Sequence, residues 1–284
     1  QAFSSEHFIS LKYNAKDEIG NQLYKQYNCQ YVPHMLFLDS NGNEVDRIIG
    51  FLPPTEYLLR INDIVNKRNT LDDYLRRYEK GEISSEILAS IATKYEDRKD
   101  NDKAAKFYSM LIENFPNESS KFYNDGKFFL ATHEFKNGNE KSLKNYIKKN
   151  PESEHVFDAY RKMTHHYANT KEVTKELATF QEMLIAFPEN ASALNSYAWR
   201  MAEIDTNLED ALIKARKGVA LTADNLKKQA GIIDTEAEVL WRLERYDEAI
   251  EVIERAISIE PENEYFKDQK EKFIETKNSS GKSA

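Results

Sequence analysis

Two periods of apolar residues divide the chain. In residues 8–14, Phe8, Ser10 and Lys12 alternate with Ile9, Leu11 and Tyr13, the two-residue period of a strand. Residues 14–28 then place Ile19, Leu23, Tyr24 and Tyr27 at helical spacing, with Asp17 and Glu18 in the first turn, where acidic groups suit the helix dipole. Residues 31–51 predict antiparallel strands over 35–39 and 45–49. Asn41-Gly42 is expected to close them in a type I′ turn, because both residues tolerate positive φ. Pro53-Pro54 opens a helix whose expected buried face is Tyr57, Leu58, Ile61, Ile64 and Val65. From about residue 70 onward the pattern is helical throughout.

That helical stretch repeats. Pro116, Pro151, Pro188 and Pro261, with Ala223 in the remaining slot, stand about 35, 37, 35 and 38 residues apart; Asn117 and Asn190 accompany the markers at Pro116 and Pro188. Between markers, large and small residues fall at fixed offsets. One unit has Leu88, Ile91, Ala92 and Tyr95, then Ala104, Tyr108 and Leu111. Another has Ile233, Ala237 and Leu240, then Ala249, Ile253 and Ala256. A third keeps Tyr160, Met163, Tyr167, Phe180 and Met183, but has Thr164 and Glu176 where small residues are usual. Gly126, Leu130, Gly138, Leu143 and Tyr146 fit more loosely. Small residues let two antiparallel helices approach, large ones fill the neighbouring hole, and each hairpin keeps an apolar face for the next to cover. The period and the offsets resemble the tetratricopeptide repeat (TPR). That resemblance implies an α-α superhelical solenoid over 68–277 with a groove lined by the first helix of each hairpin. Residues 263–277 are expected to cap it with a polar outer face that includes Lys267, Lys270 and Lys272, and 278–284 to be disordered.

The groove positions are Ala89 and Thr93, Arg161 and His165, Asn195 and Trp199, and Asp234 and Glu238. The partner-binding candidates are Arg161, His165, Asn195 and Trp199, since tryptophan and arginine dominate interface energetics; the competing expectation for Trp199 is packing between repeats. Some TPR proteins hold a terminal carboxylate with lysine and asparagine where this chain has Ala89 and Thr93, so that mechanism is not expected here.

The order of strand, helix, proline, hairpin, glycine and helix in residues 1–67 resembles the C-terminal part of a thioredoxin fold. It is carried by Tyr31-Val32-Pro33, by Phe37-Leu38-Asp39-Ser40-Asn41-Gly42 and by Arg47-Ile48-Ile49-Gly50-Phe51. The resemblance implies a cis-proline loop in which Val32 and Pro33 contact an extended peptide. It also implies a missing strand between residues 8–14 and the hairpin, with residues 1–7 as the tail of a helix. No Cys-x-x-Cys is present: Cys29 is the one cysteine, so thiol–disulfide exchange lacks its second sulfur. The fold class expected is mainly α, a TPR solenoid preceded by a small, incomplete α/β thioredoxin-like domain.

Bulk properties narrow the function. The 284 residues carry a net charge of −8, which gives nucleic-acid binding no electrostatic support. The run from Lys141 to Lys149 has Leu143, Tyr146 and Ile147 at helical spacing and is expected to be one face of an amphipathic helix. No stretch of ~18 apolar residues could span a membrane. Gln1 is not an initiator methionine, so a processed or cut chain is expected, and the compartment, periplasmic or cytoplasmic, stays open. His7, His34 and Cys29 lack metal-ligand spacing. Residues 97–102 and 205–210 lack the glycine and final glutamate of a calcium loop. No metal, cofactor or catalytic residue is expected. The expected function is a non-catalytic scaffold that binds a protein or peptide. The alternative is a piece of a thiol–disulfide oxidoreductase whose cysteine pair lies upstream.

Overall fold

The structure, a computed structural model, describes residues 2–116 and 120–280. The marker Asn117, Gln1 and residues 281–284 of the expected tail lie outside the described residues. The chain divides into two compact units, Gln1–Ala159 and Tyr160–Ala284.

The first unit opens with α1 (Ala2–His7) and α2 (Glu18–Gln26), then the strands β1 (His34–Leu38) and β2 (Glu44–Ile49), and α3 (Pro54–Val65). Residues 8–14 are not a strand: they run irregularly, with Ile9 94% and Leu11 73% exposed, because among the described residues no strand pairs with them. β1 and β2 are antiparallel, from His34 opposite Ile49 to Leu38 opposite Glu44, and among the described residues they form a two-stranded sheet. The connection differs from the expected type I′ turn. Gly42 has φ +81° but Asn41 does not have positive φ. The Gly42 N–H donates to Asp39 O at 3.1 Å, and the Asp39 carboxylate accepts from the Asn41 and Asn43 N–H groups at 2.8 and 2.9 Å. That is a turn followed by a glycine bulge, the longer hairpin class, made affordable by the Asp39 side chain.

Pro53 and Pro54 start α3 as expected. Ile61 and Ile64 are its buried residues and join Ile48 in a small core with Phe8, Met35 and Phe37, whereas Leu58 stays exposed. The helices α4 (Leu71–Glu79), α5 (Ser85–Asp97) and α6 (Asn101–Asn114) build a second core on Ile87, Leu88, Ile91, Ala92, Ala104, Tyr108 and Leu111. Thr70, Ser84 and Asp100 cap the N-termini of these helices by accepting from Asp73, Ile87 and Lys103 N–H groups. Ala89 also lies in this core, so it does not face a groove.

α7 (Lys121–Lys136) and α8 (Lys141–Lys149) form the next hairpin. Gly126 is required there: a Cβ would stand 2.7 Å from the Tyr108 ring, which occupies the space. Leu143 and Tyr146 are buried, so the basic run is the outer face of α8 as expected.

α9 (Val156–Asn169) runs into the second unit, which continues with α10 (Val173–Ala186), α11 (Ala191–Glu203), α12 (Leu208–Ala220), α13 (Leu226–Arg242), α14 (Tyr246–Ile259) and α15 (Glu264–Ser280). The repeat residues form its interior: Leu194, Ala198, Ala211, Ala215, Ile233, Ala237, Leu240, Ala249, Ile253 and Ala256 are all buried. Glu176, at a position where small residues are usual, is buried too. It is tolerated because Arg200 donates to its two oxygens at 2.6 and 3.1 Å. α15 runs through residues 278–280, where the composition predicts a disordered tail; residues 281–284 lie outside the described residues.

Candidate functional site

The predicted groove residues lie on two helices of the second unit. Arg161 and His165 are one turn apart on α9, both exposed. The His165 ring Nε2 meets the Asn169 amide at 3.0 Å. Asn195 and Trp199 are one turn apart on α11, both half-buried. The Trp199 indole N–H donates to Glu203 at 3.0 Å, a contact within its own helix. The Asn195 Oδ1 is buried and accepts no hydrogen bond from any described residue.

α11 packs beside α13, the first helix of the next hairpin, and α13 packs against α14. Asp234 and Glu238 are buried on α13 instead of lying open. Glu238 accepts from the Lys272 ammonium at 2.6 Å and lies 3.5 Å from Arg242. Lys272 therefore turns inward from α15. It also stands 4.0 Å from the Trp241 ring, which stacks on Phe273 at 6.0 Å. This corrects the expected outer face of the last helix, where the charge pattern identified the polar residues but not the one recruited by Glu238. Trp241 thus packs against the next helix.

Asp234 has weaker partners. Its Oδ2 accepts from the Tyr265 hydroxyl at 3.3 Å, while its Oδ1 is buried without a donor among the described residues. Burial pushes its carboxyl up to about 6, and the nearby Glu238 acts in the same direction.

In the first unit, the peptide bond between Val32 and Pro33 is cis. Val32 and Tyr31 are exposed, and Pro33 leads directly into β1. Among the described residues β1 pairs with β2 alone, so its second edge is open. Next to Pro33, His34 is part-buried, and burial lowers its pKa. Cys29 is buried and unbridged; burial pushes its thiol up, away from the thiolate that exchange chemistry needs.

Two charge clusters escaped the sequence reading, because their members are distant along the chain. Asp46 on β2 is fully buried and receives Lys94 at 2.8 and 2.9 Å and Arg60, with Arg98 at 3.8 Å. Glu44 pairs with Arg47 and with Arg98 at 2.9 Å. These contacts fasten the hairpin to α3 and α5. Beside them is a cleft of about 540 Å³ lined by Tyr27, Arg47, Tyr95, Arg98 and Lys103 among others. Arg47 and Arg98 there are held by Glu44, and Lys103 by Asp100. The second cluster brings Asp125, Glu154 and His155 together, their ligand atoms within 4.8 Å of one another. His155 meets Asp125 at 2.7 Å, and the Lys121 ammonium stands 3.2 Å from Asp125 and 3.5 Å from Glu154. A cation belonging to the chain thus already sits between the two carboxylates.

Comparison with known proteins bears on the repeats. Residues 235–263 match the model of the tetratricopeptide repeat family. A tetratricopeptide repeat protein from Parabacteroides merdae is 16% identical with a TM-score of 0.51, over 70% of this chain and 76% of that one. BtubC from P. vanneervenii is 13% identical with a TM-score of 0.48, over 67% of this chain and 87% of that one. No curated protein matches. No described helix is long and apolar enough to cross a membrane. Residues 235–263 thus carry the tetratricopeptide sequence, and the mainly helical chain around them is similar in fold to tetratricopeptide repeat proteins.

Proposed function

We propose that the chain is a non-catalytic scaffold whose second unit binds a polypeptide along the first helices of its hairpins, with Arg161, His165, Asn195 and Trp199 as contacts. The observation that carries this reading is on α11. Trp199 offers a half-buried indole one turn from Asn195, whose buried Oδ1 lacks a donor. A buried acceptor without a donor is costly, and a bound peptide N–H would satisfy it. The repeat fold supports the same reading, since stacked hairpins present a continuous face built from their first helices. The test is a photo-crosslinker placed at His165 and, separately, at the exposed Ile213 on α12. Specific capture is expected from position 165 alone, and it should disappear in Arg161→Ala/Trp199→Ala. Unchanged capture in that double variant would count against the groove.

A second reading concerns residues 1–67. The open edge of β1, together with the exposed Ile9, Leu11, Tyr31, Val32 and Phe51 elsewhere in these residues, supports a thioredoxin-like domain completed by a strand from elsewhere. Val32 and Pro33 would then contact an extended peptide by strand addition. The parent would be a thiol–disulfide oxidoreductase with its cysteine pair upstream. Reading the coding sequence before Gln1 tests this: a strand followed by Cys-x-x-Cys supports it, and a start codon immediately before Gln1 refutes it. The 284-residue chain itself is expected to show no insulin reductase turnover.

A further inference from the structure

Asp234 is a buried charge that the packing of the repeats does not need. On α13, Ile233, Ala237 and Leu240 build the apolar interior, while Asp234 and Glu238, one turn apart, meet groups from α15. Glu238 has its cations, Lys272 and Arg242. Asp234, only 6% exposed, has one long contact from the Tyr265 hydroxyl at 3.3 Å and an Oδ1 with no donor among the described residues. A desolvated carboxylate oxygen without a donor is unfavourable and is relieved by a proton or by a cation. On α11, which packs beside α13, the Asn195 Oδ1 is likewise buried without a donor among the described residues.

Both unsatisfied atoms are acceptors, which selects the chemistry of the complement. A carboxylate or phosphate would add repulsion, and an apolar side chain would leave both oxygens bare. An ammonium or guanidinium group brings several donors and the opposite charge. We infer that Asp234 receives a lysine or arginine side chain of the bound polypeptide. The incoming cation replaces the long Tyr265 contact, and the half-exposed Tyr265 ring, held by Gln269 at 2.6 Å, is the part that gives way. This rests on the peptide-binding reading above and adds the class of partner, a basic segment. The groups facing Asp234 are Tyr265 and Lys272 from α15 and Glu238 on α13. With its carboxyl pushed up to about 6 by burial, Asp234 takes up a proton as the pH falls through that value, so binding of the cation weakens as the pH is lowered.

The test uses the full chain and short fluorescent peptides of alanine, leucine and serine with one central lysine, arginine, norleucine or glutamate, read by anisotropy. The lysine and arginine peptides are expected to bind about tenfold more tightly than the norleucine peptide, the range of one charge-assisted hydrogen bond. Asp234→Asn, which keeps the shape and removes the charge, should abolish that preference. Equal binding of lysine and norleucine peptides to the unaltered chain overturns the inference and leaves the peptide-binding reading standing. If no peptide binds more tightly to the unaltered chain than to Arg161→Ala/Trp199→Ala, both fall. Should Asp234→Asn not fold, the pH series decides: the lysine-over-norleucine preference of the unaltered chain must shrink between pH 7.5 and pH 5, and a constant preference refutes the assignment.

Discussion

Replacing Asp46 with asparagine probes how the hairpin is held to the first helical repeats. The side chain is 0% exposed, and its oxygens take both contacts from Lys94, at 2.8 and 2.9 Å, as well as Arg60. Asparagine fits the space but leaves three nearby cations, Lys94, Arg60 and Arg98, facing a neutral amide. Glu44 compensates only part of this, because it is already committed to Arg47 and Arg98. Removing one partner of a buried ion pair costs about 3–5 kcal/mol. The chain has one way to limit that cost. Burial, and then the Arg60 and Arg98 guanidinium groups, already push the Lys94 ammonium down to about 7, so without Asp46 it can shed its proton in the folded state. An unfolded lysine titrates near ~10.4. Between those values the unfolded variant binds more protons than the folded one, so its stability rises with pH. We therefore expect Asp46→Asn to lose about 3–4 kcal/mol near pH 7, and the stability of the variant itself to rise from pH 7 toward pH 10. Hydrogen exchange on the full chain isolates the effect, because it reads the 44–49 amides separately from the rest. Their protection should fall by roughly 10²–10³-fold at pH 7. Asp46→Asn/Lys94→Met should recover part of it, since the stranded ammonium is gone. Loss of less than about 1 kcal/mol, or a variant whose own stability does not rise from pH 7 toward pH 10, would refute the reasoning.

Two further substitutions test packing and titration. Gly126→Ala places a Cβ 2.7 Å from the Tyr108 ring and should cost about 1–3 kcal/mol, seen as a lower melting temperature with unchanged helix content. For Asp234, the folded carboxyl is raised to about 6 above an ordinary value of 3.8, so the folded state binds the extra proton and its stability falls as pH rises through that window. Asp234→Asn should flatten that part of the urea-midpoint profile and be more stable at pH 7 by up to about 3 kcal/mol; a profile of the same slope would show that another group titrates there.

The helical repeats were legible because their signal is local and periodic. Ile233, Ala237, Leu240, Ala249, Ile253 and Ala256 are buried where their spacing placed them. The same holds for Pro54 at the start of α3 and for Leu143 and Tyr146 under the basic face of α8. Residues 8–14 show the limit: alternation makes a segment suitable for a sheet, but a strand exists only where another offers its N–H and C=O groups, and none among the described residues does. The hairpin turn shows it too, since Asn-Gly permits a type I′ turn but the Asp39 side chain stabilised a bulged one.

Sequence alone determined the helical period, the boundaries of the hairpins and which residue types fill their cores, because each depends on neighbours within a few turns. Tertiary structure alone decided which polar residues inside those helices have partners. Glu176 falls at a packing position and Glu238 and Asp234 at groove positions in the sequence, yet Arg200 and Lys272 reach the first two while Asp234 keeps an oxygen without a donor among the described residues. Side chains from distant helices supply those partners, and only packing brings them within hydrogen-bond distance.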